Sequence, residues 1–485
     1  MAKYFPVIGL EIHCQLATKT KMFCGCEIEV NTSANKHVCP VCLGMPGAMP
    51  VPNKKAVEYA IRLGLALNCE IDLNAMWTRK NYFYPDLPKG YQITQTGGLP
   101  VYDHPICKNG WIEVTLADGS LKRIGITRIH MEEDAGKLVH DMSPTSSHFD
   151  ANRCGTPLCE IVTEPDIRSP EEAVLALQKI KQILEYTGVS NANMENGNMR
   201  CDGNISLRES ENAPFGTRAE VKNLNSFTNL EKALYAEIAF QSLTLDSGKK
   251  VEQCTKRFDP NANKTIVIRS KEDAHDYKYF PEPDMVRLVT DPSVVEEIRK
   301  TLPELPDARR ARFVKDYGVT DYDAHVLTIE RSVSEWFDAA AKTCKTPKIL
   351  ANWVISEVLG KVKDLEGGLE ALKITPKQLS DLINLIADST ISGKIAKQVF
   401  AEMLETGTDP EVIVKEKGLV QVTDTSFIES LVREIISANQ EQFNAFKSGK
   451  APKMKGFFVG QVLKKSGGKA NPQIVNQILD KIAGE

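Results

Sequence analysis

The sequence predicts an α+β protein: an antiparallel-sheet cradle domain over residues 1–292, an all-α helical domain over 293–406, and a small all-α tail domain over 407–485. Three observations carry that reading. Segments of strict apolar–polar alternation, the β period, stop near residue 290. Beyond that point apolar residues recur at helical spacing, with Pro or Asp at the segment starts. The last stretch changes composition: residues 441–470 hold seven lysines against one acid, Glu441.

The first alternating segment is VIGLEIHCQL, residues 7–16. Ile8, Leu10, Ile12, Cys14 and Leu16 share one side, and Glu11, His13 and Gln15 share the other. The next element holds cysteines. Cys24 and Cys26 form a C-x-C, and Cys39 and Cys42 form a C-x-x-C after a short loop. Two such pairs match a zinc knuckle over residues 24–42, closed by four thiolates and therefore structural. The first spacer is one residue tighter than usual. NKKAVEYAIRLGLALN then predicts a helix, capped by Asn53, with Val57, Ile61 and Leu65 facing the sheet. RKNYFYPDLPKGYQITQ crowds aromatics, Pro85, Pro88 and Gly90 among Arg79, Lys80 and Lys89, and predicts a rigid loop.

A hairpin follows around Trp111–Ile126, turning at Asp118-Gly119. ITRIHMEED is a second polar-faced strand, with Arg128, His130, Glu132 and Asp134 opposite Ile129 and Met131. Residues 144–160 are loop-rich and leave Asp150, Asn152 and Arg153 available to a ligand. Ser169, Pro170 and Gly188 delimit a helix with the stripe Val174, Leu177, Ile180 and Leu184. RCDGNISLR sets Arg200, Asp202, Asn204, Ser206 and Arg208 on one face, and RAEVK sets Arg218, Glu220 and Lys222. Thr228 and Glu231 predict a capping box for the next helix. Two prolines in KEDAHDYKYFPEPD then carry the chain out of the cradle.

A solvated face of an antiparallel sheet also alternates, but it favours β-branched residues. Four strands here carry Glu, Asp, His, Asn and Arg instead, and local rules are broken most often at functional sites. Glu11, His13, Glu132 and Glu220 offer oxygen and imidazole ligands to a hard ion such as Mg²⁺. Beside the cations of the same face they suit phosphoryl transfer from ATP held on an open sheet face, since neither a P-loop nor a kinase signature is present. Spacing does not separate that reading from a metal-dependent hydrolase. The lysines Lys447, Lys450, Lys453, Lys455, Lys464, Lys465 and Lys469 suit a phosphate backbone or form a plain solvated face.

Composition narrows the classes. A net charge of −4 rules out polyanion binding by bulk charge, so any nucleic-acid contact must be local. No run approaches the ~20 apolar residues of a membrane span. The opening MAKYFPVIGLEIH has no signal-peptide core, and the 12 cysteines then read as thiols or metal ligands in a cytoplasmic protein.

GLEIHCQL, KNYFYPDLPKGYQITQ, HMEEDAGKL, NRCGTPLCEIVTEPDI, RCDGNISLR, RAEVKNLNSF, YFPEPD and GFFVGQVLKKSGGKANP resemble the B-subunit family of the aspartyl/glutamyl-tRNA amidotransferases, in order along nearly the whole chain. The resemblance implies a cradle, a helical domain and a tail that grips tRNA. It implies ATP-dependent activation of the side-chain carboxylate of Glu on tRNA-Gln, or Asp on tRNA-Asn, and amidation by ammonia. It carries Mg²⁺ onto Glu11, His13, Glu132 and Glu220, which would be the catalytic set, and structural Zn²⁺ onto Cys24, Cys26, Cys39 and Cys42. Gln15, Asp134, Arg200, Asp202, Asn204, Ser206, Arg208 and Lys222 would bind ATP and substrate, and the seven tail lysines tRNA. The partners implied are an amidase (A) subunit supplying ammonia and a small C subunit. No amidase or glutaminase signature stands in this chain, which agrees. The rival from another class is a non-catalytic, zinc-containing tRNA-binding scaffold.

Overall fold

The computed structural model describes residues 3–29, 32–97, 100–140, 146–270, 277–363, 365–420, 425–448, 453–467 and 470–484. The chain forms two compact units, residues 1–306 and 307–485.

The first unit is built on a large sheet. Its elements are β1 (Phe5–Gln15), α1 (Lys54–Ala66), β2 (Glu70–Ile71), β3 (Asn74–Ala75), β4 (Thr78–Asn81), β5 (Tyr91–Thr94), β6 (Cys107–Thr115), β7 (Leu121–Glu133), β8 (Lys137–Val139), β9 (His148–Asp150), β10 (Pro157–Thr163), α2 (Pro170–Thr187), β11 (Met199–Arg208), β12 (Ala219–Leu224), α3 (Phe227–Asp246), β13 (Cys254–Asp259), β14 (Lys264–Ser270), β15 (Phe280–Pro281), β16 (Leu288–Val289) and α4 (Pro292–Lys300). The main path runs β14-β13-β12-β11-β1-β10-β7-β5-β4-β15, which places β1 between β10 and β11. The pairings are antiparallel except β12 with β13, which is parallel. The sheet is therefore mixed, a correction to the purely antiparallel cradle that the sequence predicts. The cause is α3, which carries the chain back as a crossover so that β13 starts at the same end as β12.

One face of the sheet is apolar as the alternation requires. Ile8, Leu10, Ile12 and Cys14 are wholly buried, and they join Ile61 and Leu65 of α1, Leu177, Ile180 and Leu184 of α2, and Leu230 and Leu234 of α3 in one core. Each such Leu or Ile contributes about 1.5–3 kcal/mol. Asn53 caps α1 by accepting from the Lys55 and Ala56 amides. Ser169 caps α2 by accepting from the Glu172 amide at 3.2 Å, and Gly188 ends that helix in the left-handed region at φ 67°. Ser169→Ala should cost about 1 kcal/mol, read as a lowered urea midpoint with unchanged m. The expected capping box at Thr228 is displaced. Ser226, extended at φ −157°, accepts from the Asn229 amide and leaves Thr228 inside the first turn.

The expected break at residue 292 falls at the start of α4, whose Val295 and Ile298 join the cradle core. Residues 271–276 of KEDAHDYKYFPEPD lie outside the described residues. The second unit is helical: α5 (Pro306–Tyr317), α6 (Asp321–Thr328), α7 (Arg331–Ala341), α8 (Pro347–Trp353), α9 (Leu359–Val362), α10 (Pro376–Ala387), α11 (Gly393–Thr406), α12 (Pro410–Glu416), α13 (Thr425–Ala438), α14 (Gln440–Lys447), α15 (Met454–Lys465) and α16 (Pro472–Gly484). Two separate apolar clusters hold it, one running from Phe313 to Val414 and one from Ile428 to Ile482. Among the described residues no helix is long and apolar enough to cross a membrane.

Candidate functional site

The polar face of the sheet is a matrix set by strand register. His13 of β1 stands opposite Arg200 of β11 on one side and Glu160 of β10 on the other. Glu160 in turn faces His130 of β7. One step along, Glu11 faces Asp202, and one step further Asn204 faces Glu220. This register gathers two groups of candidate ligands, each with its donor atoms within 4.8 Å: His13, Glu132 and Glu160, and Glu11, Asp202 and Glu220. The four residues that the sequence singles out as one set therefore divide between two neighbouring triads. Each triad gains an acid that the sequence does not place among the ligands.

Glu160 is the residue that sequence reasoning misses outright. The segment around it reads as loop because Gly155, Pro157 and Pro165 crowd it. Pro157–Thr163 is a strand, and the available signal is Cys159 and Ile161 alternating with Glu160. The side chain of Glu160 lies 3.2 Å from His13 Nε2 and 3.4 Å from His130 Nε2. Burial opposes its ionisation, but His130 and His13 hold the carboxyl well below the usual range. Burial likewise opposes a charge on His13, yet Glu160 and Glu132 raise it to about 9. Glu11 is pushed up by burial and by the nearby charges of Glu160 and Glu220, while the Asn204 amide donates to it at 2.8 Å. Acids and imidazoles thus stand in direct contact away from water, a condition common at functional sites.

Asp202 sits at a bulge. Lys222 and Asn223 of β12 together oppose it, and Asn223 takes φ 60° so that its amide can donate to Asp202 at 3.0 Å. The bulge aims Lys222 at both Asp202 (3.0 Å) and Glu220 (2.7 Å), a common use of bulges beside active sites. These two acids raise the Lys222 amine against the effect of burial. Thr255 donates to Glu220 from β13. Next to this triad a cleft of about 280 Å³ is lined by Gly9, Glu11, Asn204, Ser206, Phe215 and Arg218. Arg208 lies over the Phe215 ring at 5.7 Å. At the other end of the face Gln15 donates to Asp134 at 3.2 Å, and Arg200 lies 3.5 Å from the same carboxylate.

Among the three consecutive acids, Glu132 points into the first triad. Glu133 points away, where it is paired with Lys89 and accepts from the Ile93 amide. Asp134 is held by Gln15, Arg200 and Arg153.

Cys24, Cys26, Cys39 and Cys42 converge with their sulfurs within 4.8 Å. Hydrogen bonding from Cys24, with Lys21 nearby, lowers Cys42 to about 4, while burial raises Cys26 to about 11. A soft four-sulfur set fits Zn²⁺. Asp150, Asn152 and Arg153, expected to be free for a ligand, are committed to structure instead. Asp150 accepts from the Asn35 amide, Asn152 from the His37 amide, and Arg153 donates to the carbonyls of Ala135 and Gly136. Asp150 and Asn152 brace the cysteine loop at Asn35 and His37, while Arg153 fixes the turn after β7.

In the tail, Lys447, Lys453, Lys455, Lys464 and Lys465 lie on or beside α14 and α15, whereas Lys450 and Lys469 lie outside the described residues. Lys455 pairs with Asp480 at 2.7 Å and Lys465 with Glu434. The basic stretch is therefore partly neutralised within its own fold.

An α+β fold whose largest sheet gathers two such triads, with cations held beside a cleft, defines the class as an enzyme and not a passive scaffold. The chain belongs to the GatB/GatE family: the model of the GatB/GatE catalytic domain matches residues 6–296, and the GatB domain matches residues 335–482. It is 52% identical over 487 residues to the B subunit of the aspartyl/glutamyl-tRNA(Asn/Gln) amidotransferase of Carboxydothermus hydrogenoformans, with all of both chains covered. The proteins of the same name from Caldicellulosiruptor saccharolyticus and Geobacter sulfurreducens are each 52% identical, over 98% and 99% of both chains.

Proposed function

We propose that this chain is the carboxylate-activating subunit of a tRNA-dependent amidotransferase. It transfers the γ-phosphoryl of ATP to the side-chain carboxylate of Glu on tRNA-Gln, of Asp on tRNA-Asn, or of both. An oxygen of that carboxylate attacks phosphorus and ADP leaves. Ammonia from a partner amidase subunit then attacks the acyl carbon, phosphate leaves, and the amide stays on the tRNA. A small C subunit completes the assembly, in the cytoplasm. Residues up to 292 carry the activation, 293–406 form a helical domain, and 407–485 grip tRNA.

The observation that carries the reading is the pair of triads at the sheet centre. Both hold hard oxygen donors, one with an imidazole, and both are largely shielded from water, a donor set that fits Mg²⁺. Bound there, Mg²⁺ would neutralise phosphoryl oxygens. The chain's own groups do the rest. Glu160 orients His13, and Asn204 orients Glu11. Arg208 and Arg218 beside the cleft, with Lys222 and Arg200 held by Asp202, Glu220 and Asp134, would supply cations to phosphate oxygens. Ser206 and Asn204 line the cleft that would take the nucleotide or the aminoacyl end. Zn²⁺ on the four cysteines would be structural.

The test is ATP cleavage by the chain assembled with its amidase and small subunits. Cleavage should require both Mg²⁺ and a mischarged tRNA. Turnover of a substrate without ATP would point to a hydrolase, and no stimulation by Glu-tRNA or Asp-tRNA would point to a scaffold.

The tail makes its own prediction. Lys447, Lys453 and Lys464 have no carboxylate partner among the described residues, so they are the ones able to release counterions from a phosphate backbone. Neutralising these three should weaken tRNA binding and flatten the slope of log K against log salt by about 0.7–0.9 for each lysine that meets a phosphate. Neutralising Lys455 and Lys465 should do less. An unchanged slope for the first set would remove the tail from the interface.

A further inference from the structure

Lys21 is a lysine with no exposed surface at all, among the largest fully buried side chains of the protein. Such a residue is almost never wholly buried unless its charge is paired. Among the described residues no carboxylate forms an ion pair with it. Its ammonium donates to the His37 carbonyl at 2.7 Å and the Ala151 carbonyl at 3.3 Å, and its third partner is Cys42 Sγ at 3.6 Å. Three donors thus meet three acceptors, and the only acceptor able to carry a negative charge is sulfur.

Cys42 is also the most buried of the four converging cysteines, and its sulfur accepts from the Cys39 amide at 3.1 Å. Four thiolates around one divalent ion carry a net charge of 2−, which is costly to bury without compensation. Cys154, buried close by, is not in the cluster. Lys21 lies three residues before Cys24 and reaches Cys42 and Ala151 from the chain segment that opens the knuckle.

We infer that Lys21 is the built-in counter-ion of the four-cysteine zinc site: a positioning residue that halves the charge of the metal–thiolate group through Cys42 and ties it to the loop at Ala151. The inference rests on the zinc reading of the cysteines and not on the transamidation reading. It explains why a cation, and not a neutral donor, occupies a site whose other two acceptors are neutral carbonyls.

The test uses the full chain. Metal content of the wild type comes first, since a zinc-free wild type overturns both the zinc reading and the role of Lys21. Lys21→Met keeps the unbranched stem and removes the ammonium. Zinc affinity, measured by competition with a chromophoric chelator, should fall about 10–100-fold, the scale seen when a group bonded to a metal's ligand is removed. With Co²⁺ in the site, the thiolate-to-metal charge-transfer band should also shift, because one sulfur has lost a donor. A folded Lys21→Met chain with wild-type zinc affinity and an unmoved cobalt band would overturn the inference while leaving zinc in place. If Lys21→Met does not fold, the wild type labelled with ¹⁵N-lysine carries the test. The Lys21 ammonium resonance should move on metal removal, and an ammonium indifferent to the metal would overturn the inference.

Discussion

Glu160→Gln is expected to lower tRNA-stimulated ATP cleavage on the order of 10²–10³-fold, the scale seen when one charge-stabilising group is lost from a preorganised site. The substitution is isosteric and keeps a hydrogen-bond acceptor, but it removes the charge standing between His13 and His130. His13, raised to about 9 by Glu160 and Glu132, would lose its main stabilising partner and its fixed orientation. Binding of tRNA through the tail should be untouched, so a filter-binding or anisotropy measurement separates a catalytic loss from a binding loss. Glu11→Gln attacks the other triad and should give a loss of similar size. If the triads act as one unit, the double variant should be little worse than either single variant, because residues that act together are grossly non-additive. Full ATP cleavage by a folded Glu160→Gln complex would sink the proposed role of this face.

Much of that face is legible without coordinates. Period-two alternation in VIGLEIHCQL, RCDGNISLR and RAEVK puts Glu11, His13, Asp202, Asn204 and Glu220 on the polar side, and the strands form as expected. Alternation says which side a residue faces. It does not say which strands are neighbours, so it cannot divide Glu11 and His13 between two triads. That division comes from β1 lying between β10 and β11, a long-range property of chain topology. Glu160 is hidden because prolines at both ends of its strand are also turn signals, and a short strand at a sheet centre can tolerate them at its ends. The bulge at Asp202 is equally hidden, since its signal is the φ of Asn223 and not a residue pattern. The cysteine cluster is readable because its spacing is itself the constraint. Its counter-charge is not, because Lys21 in isolation is indistinguishable from a surface lysine.

The other large expected effect lies away from the site. Glu237 of α3 and Lys256 of β13 are essentially unexposed, and the ammonium donates to both carboxylate oxygens at 2.9 Å. Thr265 and Gln241 satisfy the same carboxylate at 2.6 Å and 3.0 Å, and the Phe240 ring lies 3.7 Å from the ammonium. Glu237→Leu should destabilise the cradle by about 3–5 kcal/mol, because it leaves Lys256 buried and unpaired. The double variant Glu237→Leu, Lys256→Met should recover most of that loss, since well-packed apolar groups replace buried ion pairs at little or no cost. Urea unfolding of the three variants would check both statements, and additive losses would show that the pair is not coupled. The pair also has a consequence for the reaction. It clamps the crossover helix to β13 and β14, and β13 is the parallel neighbour of β12, which holds Glu220 and Lys222. Loosening α3 should therefore lower ATP cleavage through β12 even where the chain remains folded, and the double variant should restore activity along with stability.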